Sequence, residues 1–209
     1  RTFPWRVFIM SGDDGGLIES DMVYRLATPC QIADPAWIKP GKVAWDWWND
    51  NNISGVDFRA GINTDTYKHY IDFASENGLE YIILDEGWYN TRGGTVLESV
   101  PDIDIPELCR YAESKKVGVI LWVVWKTFYD RIDDAVALYE KWGVKGIKVD
   151  FMQRDDQKMV NFYHETAKKA AEHHLLVDFH GAFKPDGMGR TWPNALTREG
   201  VKGLENCKW

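Results

Sequence analysis

The chain alternates between short apolar runs and longer segments in which apolar residues recur every three or four positions. The runs are Lys42 to Trp48 (KVAWDWW), Glu80 to Asp85 (EYIILD), Val117 to Trp125 (VGVILWVVW), Gly146 to Phe151 (GIKVDF) and Leu175 to His180 (LLVDFH). Their length and their richness in Val, Ile and aromatic residues predict strands. The segments between them predict helices over Thr66 to Asn77, Pro106 to Ser114, Asp130 to Trp142 and Asp156 to His174, with Tyr70, Ile71 and Ala74 on one face of the first. Gly78 and Gly143 stand where two of these helices should stop. Strands alternating with such helices predict βα units around a parallel sheet, and near-continuous apolar strands predict that both faces are covered.

A doubly wound sheet and a closed barrel share this pattern, so the strand ends decide. No GxGxxG or GxxxxGK[ST] loop follows any strand. Acids, Lys or His stand at nearly every strand end instead: Asp46, Asp85 with Glu86, Lys126, Asp150 and His180. Functional groups gathered from the C-terminal ends of several strands point to an α/β fold of the (β/α)8 TIM-barrel type. Five clear strands, with a sixth near "EGVKGLE" at 199–205, leave the barrel incomplete at about six βα units. A whole barrel takes about 250 residues, so the last strands are expected beyond Trp209 and the isolated 209 residues to be marginal alone.

Residues 1 to about 28 hold an apolar run, a Gly/Asp turn and a mixed acidic and apolar segment, the pattern of a closing hairpin of an all-β domain. Cys30 to Lys42 (CQIADPAWIKPGK), with two prolines, reads as a linker. The expected division is 1–35 as the end of a preceding domain plus linker and 36–209 as the barrel. Arg1 begins inside strand-like sequence, so further chain is expected upstream.

Composition narrows the function. With 44% hydrophobic residues the chain can build a sizeable core, and a net charge of -7 disfavours nucleic acid as a partner. No apolar run reaches the roughly 18 residues of a membrane helix. Cys30, Cys109 and Cys207 form no CxxC or Cys/His ligand pattern, which leaves neither a zinc site nor a disulfide framework to read. Of eleven Trp and nine Tyr, many stand where strands should end ("WDWW", "DEGWY", "LWVVW"); a single aromatic residue usually belongs to the core, but clusters at several strand ends favour a sugar-stacking or apolar cleft.

Two acidic constellations carry candidate chemistry. Lys148 and Asp150 are two apart on a strand and share a face. They form either a structural ion pair or a nucleophile whose charged form is favoured by the neighbouring ammonium. Glu199 and Glu205, in "TREGVKGLE", are either solvated loop acids or a proton donor and an oxygen ligand for a hard cation such as calcium. Two carboxyl groups across a glycosidic bond are the minimum equipment for glycoside hydrolysis.

The segments "IKPGKVAWDWWN", "YIILDEGWY", "GIKVDFMQRDDQ", "DFHGAFKPDGMGRTWPN" and "TREGVKGLE" occur in this order and together resemble the catalytic barrel of glycoside hydrolase family 97. The resemblance implies a (β/α)8 barrel packed between an N-terminal β-sandwich, whose end would be residues 1 to about 30, and a C-terminal β domain. In the inverting branch a glutamate base follows the histidine of the "DFHG" segment and the position of Asp150 is not acidic. Here Gly181 follows His180 and Asp150 is present, which resembles the retaining branch of α-galactosidases. The resemblance makes Asp150 the nucleophile, Glu205 the acid/base, and Glu199 with Glu205 ligands of Ca2+. Lys148, Asp85, Glu86, Trp88, Lys126, His180 and Arg190 are the candidates for contacts with the sugar, His180 and Arg190 being either hydroxyl contacts or structural residues. The resemblance further implies an oligosaccharide substrate with a terminal α-linked hexose and export to a bacterial periplasm. The competing readings are an inverting, calcium-dependent α-glucosidase of the same family, a sugar-binding barrel without catalysis, and an aldolase- or enolase-like barrel with Lys148 as base. Asp155 and Asp156, by contrast, stand where a helix begins and read as caps.

Overall fold

The computed structural model describes residues 6–184 and 187–207. Six strands, β1 (Val43–Trp45), β2 (Tyr81–Leu84), β3 (Gly118–Val124), β4 (Gly146–Asp150), β5 (Leu176–Phe179) and β6 (Ala195–Arg198), form one sheet in chain order. Every neighbouring pair is parallel. The main helices are α3 (Thr64–Glu76), α4 (Ile105–Ser114), α5 (Trp125–Tyr129), α6 (Ile132–Trp142), α7 (Gln157–Glu172) and α8 (Met188–Thr191); α1 (Asp14–Ile18) and α2 (Met22–Leu26) precede the sheet.

Strict chain order separates the two candidate architectures. Right-handed crossovers that never reverse put every helix on the same face, whereas a doubly wound sheet reverses at a switch point. The opposite face can then be covered only by curling the sheet on itself, and the six strands form an incomplete TIM-like barrel. Burial follows: a large cluster lies between sheet and helices, with Ile82, Leu84, Val119, Leu121, Ile147 and Val149 among its strand residues. A smaller one, Tyr81, Ile83, Ile120 and Leu176, lines the inner face.

The helices start and stop where the sequence provides for it. Asn63, Asp104 and Asp156 each accept a backbone N–H of the first turn of α3, α4 and α7 through their side chains. Asp156 is thus the predicted cap, accepting from Lys158 N at 3.0 Å and Met159 N at 3.2 Å, while Asp155 stands one residue before it. Gly143 closes α6 with a φ of 89°, a left-handed conformation that glycine adopts without a steric penalty.

Three expectations change. The sixth strand is Ala195–Arg198, just before the predicted 199–205. It pairs only with β5 among the described residues and its side chains are not fully buried, so it lacks the apolar run that marked the others. The run ending at Trp125 stops as a strand at Val124, where α5 begins. The hairpin expected over 1–28 is replaced, in its described part, by α1 and α2; residues 1–5 lie outside the described residues. The Gly/Asp turn serves as a helix start, with Asp13 Oδ1 accepting the Gly16 N–H at 2.8 Å. Of the predicted β-sandwich, nothing is seen in residues 6–35.

Candidate active site

Side chains two apart on a strand share a face, and the inner-face register set by Tyr81, Ile83, Ile120 and Leu176 continues upward into polar residues. On that face β1 carries Trp45, β2 leads to Asp85, β3 carries Trp122, β4 carries Lys148 and Asp150, and β5 leads to His180. These residues line a cavity of about 180 Å³ at the C-terminal end of the sheet, joined by Trp47, Glu86, Phe151, Gln153, Gly181, Glu199 and Glu205. A hollow of about 480 Å³ lies at the opposite end, around Trp37, Glu80 and Lys145, away from the strand-end acids.

Asp150 is 9% exposed, and both its oxygens are held. Oδ2 accepts the Trp122 Nε1–H at 2.9 Å and Oδ1 the Phe151 N–H at 2.7 Å. The second bond requires the backbone to turn sharply, and Phe151 has a φ of 68°, a strained value for a bulky residue. Gly181 lies against this turn with a φ of 55°; a Cβ there would meet Asp150 Oδ1 at 3.2 Å and the Phe151 backbone N at 3.2 Å. Only a residue without a side chain sits easily beside Asp150.

Lys148 does not pair with Asp150 as expected. Its Nζ lies 2.6 Å from Asp85 Oδ2 and 4.4 Å from the centroid of the Trp45 ring. The short Asp150 side chain is engaged by Trp122 and its own turn, while the four-carbon stem of Lys148 reaches across the inner face to β2. Asp85 also accepts the Trp45 Nε1–H at 2.6 Å and, through Oδ1, the Glu86 N–H at 2.8 Å. With Lys148 2% and Asp85 5% exposed, this ion pair is desolvated. Burying such a pair is costly unless its hydrogen bonds are met, as they are here.

His180 lies between two carboxylates, Nε2 at 3.4 Å from Asp178 Oδ2 and Nδ1 at 3.4 Å from Glu199 Oε2. Glu199 also accepts the Gly181 N–H at 3.3 Å. Glu205, in a short 3-10 turn (Leu204–Cys207), accepts the Trp47 Nε1–H at 3.2 Å. That bond joins residues 158 apart in sequence.

Behind β1, Asp46 is 2% exposed and accepts the Tyr67 hydroxyl at 2.6 Å and the Asp85 backbone N–H at 3.2 to 3.3 Å. Burial pushes its carboxyl up to about 6; the Tyr67 bond opposes this, and the Asp85 charge adds to it. A folded value above that of an unfolded carboxyl means a stability cost that sets in as pH rises from about 4 towards about 6.

Of the residues predicted for the site, Asp150, Glu205, Lys148, Asp85, Glu86, His180 and Glu199 meet in the cavity. Trp88, Lys126 and Arg190 do not line it. Trp88 is fully buried in the outer core and donates Nε1–H to the Trp122 carbonyl at 2.6 Å. Lys126 is exposed on α5. Arg190 binds the carbonyls of Tyr24 and Arg25, tying α8 to the N-terminal segment. Trp45, Trp47, Trp122, Phe151 and Gln153 line the cavity without having been singled out, although "WDWW" and "LWVVW" had marked the tryptophans as a group.

Calcium takes about six to eight oxygen ligands. Among the described residues no group of three or more His, Cys, Asp or Glu side chains converges as a metal site. Glu199 is directed to Gly181 and His180, and Glu205 to Trp47. These residues do not fit a calcium ion on their own.

Comparison with known proteins shows the family. The chain is 50% identical over 209 residues to a retaining alpha-galactosidase of Bacteroides thetaiotaomicron, covering 100% of this chain and 32% of that protein. It is 36% identical over 210 residues to a probable retaining alpha-galactosidase of Streptomyces bingchenggensis, covering 97% and 32%. The chain thus spans about a third of the length of these relatives. Among solved structures, a glycoside hydrolase family 97 enzyme from Pseudoalteromonas sp. strain K8, in complex with acarbose, superposes with a TM-score of 0.82 at 29% identity, over 93% of this chain and 34% of that one. A beta-arabinopyranosidase superposes with a TM-score of 0.73 at 28% identity, over 92% and 30%. The family model described as Glycoside hydrolase 97 matches residues 47–201, and the chain belongs to that family.

Proposed function

We propose that this cavity is the active site of a retaining, exo-acting α-glycoside hydrolase, with a terminal α-galactoside as substrate. The observation that carries the reading is the pairing of Asp150 with Gly181. Asp150 has both oxygens fixed at the strand end, and position 181, where an inverting arrangement would place its base, has a left-handed backbone and tight Cβ contacts of 3.2 Å to Asp150 Oδ1 and Phe151 N, so a side chain there is strained and crowds Asp150. A nucleophile and a neighbouring base at these two positions would compete for one space.

The chemistry then follows from the residues. Asp150 attacks the anomeric carbon as the bond to the leaving oxygen breaks, and Glu205, protonated, gives that oxygen its proton. The product of this step is a β-linked glycosyl ester of Asp150. In the second step Glu205 takes a proton from water, the water oxygen bonds to the anomeric carbon, and the ester bond to Asp150 breaks, returning the α configuration. The Trp122 and Phe151 N–H groups fix the plane of the attacking carboxylate before substrate arrives, which removes an orientational cost from the barrier. Asp85 and Lys148 offer a buried acceptor and donor for sugar hydroxyls, and the indoles of Trp45 and Trp47 flank them. An oligosaccharide substrate accords with the neighbours solved with acarbose and panose. The two missing strands of a full barrel, and β domains on either side, complete this proposal. Phe8, Met10 and Ile18, 88%, 94% and 85% exposed, give the N-terminal segment an apolar surface suited to such packing.

A panel of p-nitrophenyl glycosides with the full-length protein tests the reaction and the sugar together. The β-L-arabinopyranoside has the ring stereochemistry of the α-D-galactoside without its C6 hydroxymethyl group, so a subsite for one can accept the other. The α-galactoside is expected to be hydrolysed fastest and the β-L-arabinopyranoside measurably. A preference for the α-glucoside, or no turnover of any member, would refute the assignment.

A further inference from the structure

We infer that Asp46 is a positioning residue for the sugar subsite: from behind the sheet it fixes the main chain at Asp85, and with it the Asp85–Lys148 pair. Asp46 is not among the residues lining the cavity. Its carboxylate instead accepts the Asp85 N–H and, at the same time, the hydroxyl of Tyr67 from α3. The Asp85 side chain then extends inward to Lys148 and the Trp45 indole. One peptide unit therefore joins two buried carboxylates, one facing substrate and the other held by α3.

The arrangement is costlier than packing alone would need. A neutral acceptor could receive the Asp85 N–H without placing a second carboxylate behind Asp85 in a nearly dry site. What the charge adds is a stronger hold: hydrogen bonds to an ionised oxygen are about twice as strong as neutral ones. The charged and titratable groups that face Asp46 are Tyr67 and Tyr70 from α3 and Asp85 from the end of β2, with Lys148 from β4 reaching Asp85. Tyr67 donates to it directly, and its phenol is held far above its usual range by burial and by the Asp46 charge, so it stays a donor across the working pH range. Tyr70 donates to Asn49 Oδ1 instead. Asp46 is thus the group that changes charge near pH 6, and as pH falls through that value the anchor at Asp85 weakens.

The test uses full-length protein and galactose binding read by the fluorescence of the cavity tryptophans, alongside turnover of p-nitrophenyl α-galactoside. Wild-type affinity is expected to fall as pH drops through about 6. Asp46→Asn should weaken binding by about tenfold at pH 7, change kcat much less, and abolish the affinity change near pH 6. Tyr67→Phe keeps the carboxylate but removes its strongest donor, and should move the affinity change to higher pH. Should Asp46→Asn fail to fold, the Tyr67→Phe profile decides. Wild-type affinity and profile in Asp46→Asn, or an unmoved profile in Tyr67→Phe, would overturn the inference. The inference rests on the glycosidase reading for its turnover arm and for the choice of galactose as the bound sugar. Galactose binding without turnover would sink that reading while leaving the Asp46 test readable, and no galactose binding would overturn both.

Discussion

Replacing Asp150 by alanine in the full-length protein should lower kcat for p-nitrophenyl α-galactoside by about 10⁴-fold or more, and added azide should restore turnover while releasing β-galactosyl azide. The loss is large because no neighbouring group can take over. Lys148 is committed to Asp85, Glu199 to Gly181 and His180, and Gly181 has no side chain. Rescue is expected for a specific reason. Truncation leaves a space bounded by the Trp122 Nε1–H and the Phe151 N–H, two donors that pointed at the lost carboxylate and that suit a small anion. The β configuration of the azide records attack from the face that Asp150 occupied. Substantial residual activity without azide rescue, in a variant with a native circular dichroism spectrum, would place the nucleophile elsewhere.

Glu205→Gln should cost about 10² to 10⁴-fold for poor leaving groups, the usual range for a general acid. The loss should nearly vanish in the first step for 2,4-dinitrophenyl α-galactoside, whose leaving phenolate needs no proton. Without the base, breakdown of the glycosyl ester becomes slow, so a burst of dinitrophenol should precede a slow steady state. Azide should then give α-galactosyl azide, the opposite anomer to that from Asp150→Ala, because here it displaces the Asp150 ester from the other face. Gln keeps the acceptor oxygen for the Trp47 N–H, so the substitution tests proton transfer more than packing. An equal loss for all leaving groups would show that Glu205 is not the acid.

Much of the fold was legible because its signals are local. Four strands, β2 to β5, are buried on both faces and carry their apolar character in four to seven consecutive residues, and the helix caps are single side chains placed beside the bonds they make. β6 was misplaced because, among the described residues, it has a neighbour on only one side and its burial is partial, so an apolar run was not required of it. The Gly/Asp stretch at the N-terminus fits a hairpin turn or a helix start equally well, and pairing partners outside the stretch decide between them.

The site was legible in which residues it gathers and less so in what they touch. Alternation placed Lys148 and Asp150 on one face correctly, since that depends on the strand period alone. It could not foretell that Lys148 reaches past Trp122 to Asp85, a contact between residues 63 apart in the chain. The same limit explains Trp88: the "DEGWY" loop after β2 bends back so that its indole enters the outer core, while Trp45 and Trp47 face the cavity. Asp46 was visible only as one more acid at a strand end. Its burial against Tyr67, 21 residues away, distinguishes it, and nothing in the local sequence carries that information.

The proposed stereochemical course rests on Asp150 and Gly181 together, and it is read most directly by proton NMR of the sugar released in the first moments of hydrolysis, before mutarotation. A double displacement through Asp150 predicts that α-galactose appears first from the α-galactoside and that the β anomer grows in only at the rate of mutarotation. β-Galactose appearing first would mean a single displacement by water, and would contradict the assignment of Asp150 as nucleophile.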